Sequence, residues 1–288
     1  MKRRSAGEQE GSPLVGVVAI GRNEGERLRR CLESVRGLGL PTVYVDSGSS
    51  DDSVSIAESL DVEVVHLDTA AGFTAARARN AGYERLARRF PGLVYVQFVD
   101  GDCEVVEGWI DAARRRLDRD GMLAVVAGRR RERHPEASIF NRLCDMEWNT
   151  PIGRAKAVGG DAMYRVAAFD QVGGYDPDFI CGEEPELCYR LRRSGWTVER
   201  LDHEMTLHDA AMTRWSQWWN RMIRSGWAYA EGAATYGSTP ERYNVRQTRS
   251  IWLWAVAVPA AILALLSLGS VLEADGLGAG RLATSLGM

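Results

Sequence analysis

From Leu14 to about Asp209 the chain alternates short runs of β-branched and aromatic residues with longer segments whose apolar residues recur every three or four positions. Strand-like runs fall at 14–21, 41–48, 62–67, 93–100 and 122–128, and helix-like segments at 24–38, 52–60, 74–90 and 108–119 lie between them. A repeating switch between these two periods is the pattern of βαβ units. It predicts an α/β fold with a mostly parallel central sheet flanked by helices on both faces. Ligands of such sheets collect beyond the carboxyl ends of the strands. Asp46 closes the second run and Asp100 the fourth, so both acids are expected at one rim.

The fourth run, LVYVQFVD, leads directly into Asp100-Gly101-Asp102. Two carboxylates separated by a glycine, which permits a sharp turn, suit a hard divalent cation such as Mg²⁺ or Mn²⁺; Mg²⁺ typically keeps coordination positions for water and substrate phosphate. The same two acids alone are also common in ordinary loops. No G-x-G-x-x-G follows the first strand, which argues against dinucleotide-dependent oxidoreduction. The segment IGRNEGERL lacks the glycine-rich, basic loop by which a sugar nucleotidyltransferase would grip a triphosphate. A near balance of 36 basic and 39 acidic side chains gives no support for a nucleic-acid partner. Five cysteines without a CxxC pair fit reduced thiols in a cytosolic setting.

Five segments in order, IGRNEGERLRRCLES, YVDSGSSDDS, GFTAARARNAG, FVDGD and VGGDAMYRVAAFDQVGGYDPDFICGEEPELCYRLRRSGW, resemble the family 2 glycosyltransferases of GT-A fold. The resemblance covers roughly residues 14 to 209. It implies transfer of a sugar from a nucleotide-diphosphate donor to an acceptor hydroxyl, with inversion and with a divalent cation as cofactor. In that family's terms the stretch from Ala19 through Asn23 to Glu24 cradles the nucleoside, with Glu24 accepting from ribose hydroxyls. Asp46 accepts from base or ribose; the family commonly has two adjacent aspartates there, whereas Ser47 follows here. Arg79 faces the diphosphate, Asp100 the ribose or metal, and Asp102 is the direct metal ligand. His208 corresponds to a histidine that approaches the metal or leaving diphosphate. Gly159-Gly160 permits close backbone approach to the donor sugar, and Asp161 hydrogen-bonds its hydroxyls.

CGEEPELCYRLRRSGW matches the place of the family's catalytic base, where a Glu-Asp pair opens a helix. Glu184 aligns with that base and Glu183 is the second candidate. A helix start favours carboxylates through its dipole and free N–H groups, and Pro185 suits a first turn; plain capping explains the same residues. Trp148 either stacks on a sugar or fills the core.

The carboxyl end constrains location. Residues 251–272 carry no charge, and 22 residues at about 1.5 Å each cross a hydrocarbon layer of about 30 Å. Trp252 and Trp254 sit at the entry edge, and Pro259 is expected to kink the helix. Arg242, Arg246 and Arg249 precede the span, whereas Glu273, Asp275 and Arg281 follow it. That bias places the preceding domain in the cytoplasm, at the cell (inner) membrane. In 214–232, Trp215, Trp218, Trp219, Met222 and Ile223 form one helical stripe with Arg214, Arg221 and Arg224 outside it or at its margins. The stripe suits either an interfacial helix or a lid over the catalytic domain. Membrane-bound relatives carry Gln-x-x-Arg-Trp there for acceptor binding; Gln217 and Trp218 are present without that motif, so processive polymerisation is unsupported. Arg129, Arg130, Arg131 and Arg133 read as a solvated loop or an anionic-lipid site. The expected organisation is a disordered start (1–13), a catalytic domain (14–212), an amphipathic helix and linker (213–250), a transmembrane helix (251–272) and a tail (273–288). The partners are a nucleotide-diphosphate sugar, a glycan or lipid-linked acceptor, and the membrane. A catalytically silent membrane scaffold on the same fold is the alternative from another class.

Overall fold

The computed structural model describes residues 14–70, 72–268 and 270–271. The start at 1–13, the last residue of the expected span, Leu272, and the tail 273–288 lie outside the described residues. In chain order the elements are β1 (Leu14–Gly21), α1 (Glu26–Arg36), β2 (Thr42–Asp46), α2 (Ser53–Ser59), β3 (Glu63–His66), α3 (Ala75–Arg89), β4 (Leu93–Asp100), β5 (Cys103–Val105) and α4 (Trp109–Arg119). They continue as β6 (Leu123–Glu132), α5 (Ile139–Glu147), β7 (Gly153–Arg154), β8 (Ala162–Arg165), α6 (Val166–Gln171), α7 (Glu183–Arg193), β9 (Thr197–His208), α8 (Trp215–Tyr236) and α9 (Val245–Trp252).

The strands form one sheet in the order β3-β2-β1-β4-β8-β6-β9-β5, with β7 pairing β9. β1, β2, β3 and β4 pair in parallel, as the βαβ alternation predicts. Every interior residue of β1 is buried, as expected of a strand covered on both faces. Beyond β4 the sheet is mixed. β8 runs antiparallel between β4 and β6, β9 is parallel to β6, and β5 and β7 are antiparallel to β9. The expectation of a mostly parallel sheet is therefore corrected in the second half, where a short strand inserts between two long ones. The α/β class with flanking helices stands.

The register fixes the rim. β1 pairs Gly21 with Asp46 on one side and Ile20 with Asp100 on the other, so the two acids end neighbouring strands at one level. α3 carries Arg79 and packs on β1 and β2 through Gly82, where an added Cβ would stand 2.4 Å from Val18 Cγ1 and 2.9 Å from Val45 Cγ2. Both neighbours are buried branched side chains on strands and cannot retreat. Gly82→Ala is therefore expected to cost about 1–3 kcal/mol through overpacking. Thermal unfolding of the detergent-solubilised chain should register a lower midpoint, and an unchanged midpoint would show slack between α3 and the sheet.

The chain divides into two compact units inside α8, Met1–Met222 and Ile223–Met288. In the first, Trp218 stacks on Phe140 of α5 with ring centroids 5.9 Å apart, and Arg221 pairs with Glu147 at 2.7 Å. The tryptophan stripe is thus split: Trp218 packs on α5, while Trp215, Trp219, Ile223 and Trp227, spaced four apart, are each more than half exposed. In the second unit α8 and α9 form a hairpin in which Gly232 admits Tyr243 and Asn244 at close range. α9 continues through a π-helical turn, Leu253–Ala257, and one apolar helix spans Val245–Leu268 with none of its most apolar window buried. It is long and apolar enough to cross a membrane. The π turn sits just ahead of Pro259, whose ring would clash with the carbonyl four residues back; the Val258 N–H instead reaches Leu253 O, five back.

Candidate active site

The rim of β1, β2 and β4 is organised by the buried Arg79 and the partly buried Arg130, which hold four acids. Arg79, only 2 % exposed, donates from Nη1 to Glu183 Oε1 at 2.7 Å and from Nη2 to Asp100 Oδ1 at 2.8 Å, and Nη1 lies 3.2 Å from Glu184 Oε1. Arg130 pairs with the other oxygen of Asp100 at 3.2 Å and with Asp161 Oδ2 at 2.9 Å. The result is a continuous array, Glu184–Arg79–Asp100–Arg130–Asp161, running from the start of α7 across the end of β4. Burial opposes ionisation of Asp100, but Arg79 and Arg130 hold its carboxyl below the usual carboxylate range.

Glu183 and Glu184 occupy the first turn of α7, after Gly182 in the left-handed region at φ 79°. The N-cap residue is Gly182, which has no side chain to cap with; the two acids stand in the first turn, where the helix start favours negative charge, and both also pair with Arg79. Burial first, then the adjacent charge of Glu183, push the Glu184 carboxyl up to about 7, against the pull of Arg79. A carboxylate poised there exchanges a proton near neutral pH. Gly160 is required for this packing. A Cβ on it would lie 2.3 Å from Arg79 Nη2, 2.9 Å from Asp100 Oδ2 and 3.0 Å from Glu184 Oε1, whereas Gly159 borders open space. Gly160 thus admits the charged array.

Asp102 is placed by strand pairing. β5 and β9 pair Cys103 with His208, and β6 and β9 pair Glu132 with His208, so three strands converge there. His208 Nε2 lies 3.3 Å from Asp102 Oδ2, while its Nδ1 lies 3.4 Å from the buried carboxylate of Glu132. Glu132 is itself fixed by the backbone N–H groups of Ala210 and His134 and by Asn141 Nδ2. Burial would lower the His208 pKa, but Asp102 and Glu132 raise it to about 9; burial would raise that of Asp102, but His208 brings it down to about 2. An oxygen and an imidazole nitrogen this close, with the far nitrogen oriented by a carboxylate, are a fitting donor pair for a divalent cation that displaces the proton His208 otherwise shares with Asp102. Cys103 Sγ lies within reach of the same group, yet burial pushes its thiol pKa well up, so it stays protonated and is a poor ligand. Asp100 is committed to the two arginines. Gly101 has no left-handed φ; its role is space, since a Cβ would meet Ile20 O and Glu24 Cγ at 3.1 Å.

Other sequence-predicted residues have local duties. Ala19 is fully buried mid-strand between Tyr44 and Val99, two positions short of the rim, and does not reach the site. Asn23, at φ 58°, accepts from Ser50 N at 2.7 Å and pins the loop after β2. Asp46 accepts from the N–H groups of Gly48 and Ser49 at 3.0 Å and from Tyr44 Oη at 3.2 Å. Burial first, then Asp102, push Glu24 up to about 7 despite its 2.7 Å pair with Arg27. Asp161, fully buried, accepts from the Asp100 N–H and Thr206 Oγ1, so it braces Asp100 from below. Trp148 packs edge-on against His208 at 4.6 Å and under Arg130 at 5.5 Å, between the cation pair and the array. Gln217 caps α8, accepting from Thr213 N and Arg214 N and donating to Ala211 O.

Arg130 and Glu132 are the functional residues that sequence reasoning missed. The arginine cluster is no loop: Arg129, Arg130 and Arg131 extend β6, and while Arg131 is exposed, Arg129 pairs with the partly buried Asp145 and Arg130 with the buried Asp161. The available signal was the unbroken run from the apolar 122–128 segment into Arg129, which continues the strand.

Comparison with known proteins agrees with this geometry. The family model described as glycosyl transferase family 2 matches residues 17–172, and a model for the N-terminal domain of galactosyltransferase matches 143–214. The pre-mycofactocin glycosyltransferase of Mycobacterium tuberculosis is 28 % identical over 211 residues, 68 % of this chain and 42 % of that protein. The chain thus spans about two fifths of that relative's length. Glycosyltransferase AglE of Haloferax volcanii is 25 % identical over 69 % of this chain and 67 % of its own. Among solved structures, the mannosyltransferase PcManGT from Pyrobaculum calidifontis, in complex with GDP-Man and Mn²⁺, superposes with a TM-score of 0.62 at 18 % identity, covering 93 % of this chain and 80 % of that one. That likeness establishes the GT-A fold.

Proposed function

Because the chain belongs to glycosyl transferase family 2, we propose that its array of alternating arginines and acids transfers a sugar from a nucleotide-diphosphate donor to an acceptor hydroxyl with inversion. The catalytic unit is the segment 14–212. The observation that carries the reading is Glu184: a carboxylate with a near-neutral pKa, tied through Arg79 to Asp100 at the rim where a nucleotide binds. Glu184 takes the proton from the acceptor hydroxyl as that oxygen bonds to the anomeric carbon. The bond from that carbon to the diphosphate breaks on the opposite face, and its electron pair leaves with the diphosphate. Burial and then Glu183 raise the Glu184 pKa, while Arg79 opposes the rise and fixes the position of the carboxyl.

Asp102 and His208 are the residues that would hold a divalent cation, with Glu132 orienting His208. Such a cation supplies Lewis-acid charge to offset the negative charge growing on the departing diphosphate. The structural relative in complex with GDP-Man and Mn²⁺ supports the use of a divalent cation. Trp148 screens that pair from solvent and offers a ring face to a sugar.

The apolar helix Val245–Leu268 would tether the catalytic unit to the inner membrane from the cytoplasmic side, with Trp215, Trp219, Ile223 and Trp227 at the interface. A lipid-linked or cell-surface glycan acceptor follows from that placement. Membranes containing the chain, incubated with radiolabelled UDP- and GDP-sugars, should incorporate label into a glycan or lipid product. The new linkage should have the anomeric configuration opposite to that of the donor. Retention of configuration would eliminate the single-displacement role given to Glu184.

A further inference from the structure

Beside the array lies a cavity of about 350 Å³ whose lining includes Trp148, Val158, Gly159, Pro185, Arg200 and Met205. Pro185 follows Glu184 directly and Gly159 precedes Gly160, so this cavity adjoins the reacting centre. Its volume is at the lower end of small-molecule sites and suits a single sugar unit. Asp161 and Glu147 also line it, and each is already matched by an arginine, Arg130 and Arg221 respectively.

Arg200 is different. It sits in β9 opposite Ala127 of β6 and Gly153 of β7, and it is only 6 % exposed. Its Nε is buried without a hydrogen-bond partner, and Nη1 makes only a long 3.5 Å contact to Leu201 O. Among the described residues no carboxylate pairs with it. Arg129, whose Nη1 is also buried without a partner, adds a like charge nearby; burial and then Arg129 push the Arg200 guanidinium below its ordinary range. A nearly enclosed guanidinium without an ion pair is costly to keep, and the more distant charges of Asp202 and Glu204 do not outweigh its desolvation and the like charge of Arg129. Arginine's planar fork matches carboxylate and phosphate oxygens.

We infer that this cavity receives an anionic group, a carboxylate or a phosphate, carried by one of the two substrates, and that Arg200 binds it. The inference rests on the glycosyltransferase reading and narrows it to charged substrates: an acidic sugar on the donor, or a phosphate on a lipid-linked acceptor. In either case Trp148 packs against the adjoining ring or chain and Pro185 keeps the group beside Glu184.

The test uses the full chain in detergent, with affinities measured calorimetrically for matched probes. One arm compares UDP-glucuronate with UDP-glucose and GDP-mannuronate with GDP-mannose; the other compares farnesyl phosphate with farnesol. Arg200→Gln and Arg200→Lys are measured alongside. In one arm the charged member should bind at least about tenfold more tightly, the usual worth of a charge-assisted hydrogen bond. Arg200→Gln should erase that preference, Arg200→Lys should restore part of it, and the affinities for UDP and GDP alone should not move. The arm that responds identifies the source of the anion. Equal binding of charged and neutral members in both arms overturns the inference, as does a preference that survives in Arg200→Gln. With UDP or GDP still bound, either result leaves the donor reading intact; loss of all nucleotide binding by the unmodified chain would sink both.

Discussion

Glu184→Gln is expected to lower turnover by roughly 10²–10⁴ while leaving nucleotide affinity near that of the parent, because a general base acts in the transition state and not in donor binding. The acid limb of the parent's pH–rate profile should have its midpoint near 7, the value to which burial and Glu183 push the Glu184 carboxyl. A base works ionised, so the rate should fall about tenfold per pH unit below that midpoint. Glu183→Gln separates the two acids. It removes a neighbouring negative charge and frees Arg79 for Glu184, and both effects lower the Glu184 pKa. The acid limb should therefore move to lower pH with activity retained at neutral pH. Abolished turnover in Glu183→Gln, with a shifted limb in Glu184→Gln, would reassign the base to Glu183.

The same pKa has a stability counterpart. A carboxyl raised above its unfolded value binds its proton more tightly when folded, so its contribution is favourable below about 4.5 and is lost as pH rises through about 7. Above neutrality the ionised Glu184 thus costs the fold on the order of a few kcal/mol. Glu184→Gln should melt higher than the parent at pH 8 and close to it at pH 5. Buried ion pairs contribute little net stability compared with apolar packing. Five charged groups in one largely enclosed line are therefore better explained by the positions they fix than by the stability they add.

How much of this was legible in the sequence follows from the range of the forces involved. β1 was readable to the residue because a strand covered on both faces is apolar throughout, β4 because the single polar Gln97 leaves its apolar run recognisable, and Asp46 and Asp100 stood out as the charges that end such runs. The rim followed from strand direction alone. β8 was not readable: it is four residues long, antiparallel, and held by β4 and β6 from distant parts of the chain. The inward turn of Arg130 was hidden for the same reason, since its partners Asp100 and Asp161 lie 30 or more positions away. Gly159-Gly160 was read as a point of close approach to the donor sugar; in the structure it is Gly160 that is crowded, and by the protein's own Arg79. The roles of Glu24 and Asp46 toward the nucleoside came from resemblance, and only coordinates could show that Asp46 already holds the turn through Gly48 and Ser49.

Removal of the cation should match the loss of the base in size and differ from it in kind. Charge neutralisation on a leaving diphosphate is worth several kcal/mol, so chelation should suppress turnover by about 10³-fold or more, and added Mn²⁺ should restore it. Asp102→Asn removes the carboxylate that faces His208 Nε2, and its deficit should persist at millimolar cation. Glu132→Gln leaves both donors in place and weakens only the hold on His208 Nδ1. It is therefore expected to weaken cation affinity by about 10–100-fold while reaching the parental maximum rate at saturating cation. The two variants thus separate ligand from positioning residue by whether excess cation rescues them, a distinction that simple misfolding would not produce. Chelator-treated protein that keeps its full rate, or a Glu132→Gln protein with an unchanged cation requirement, would remove Asp102 and His208 from the role given to them. The Glu184 and Arg79 array would then have to carry the chemistry alone.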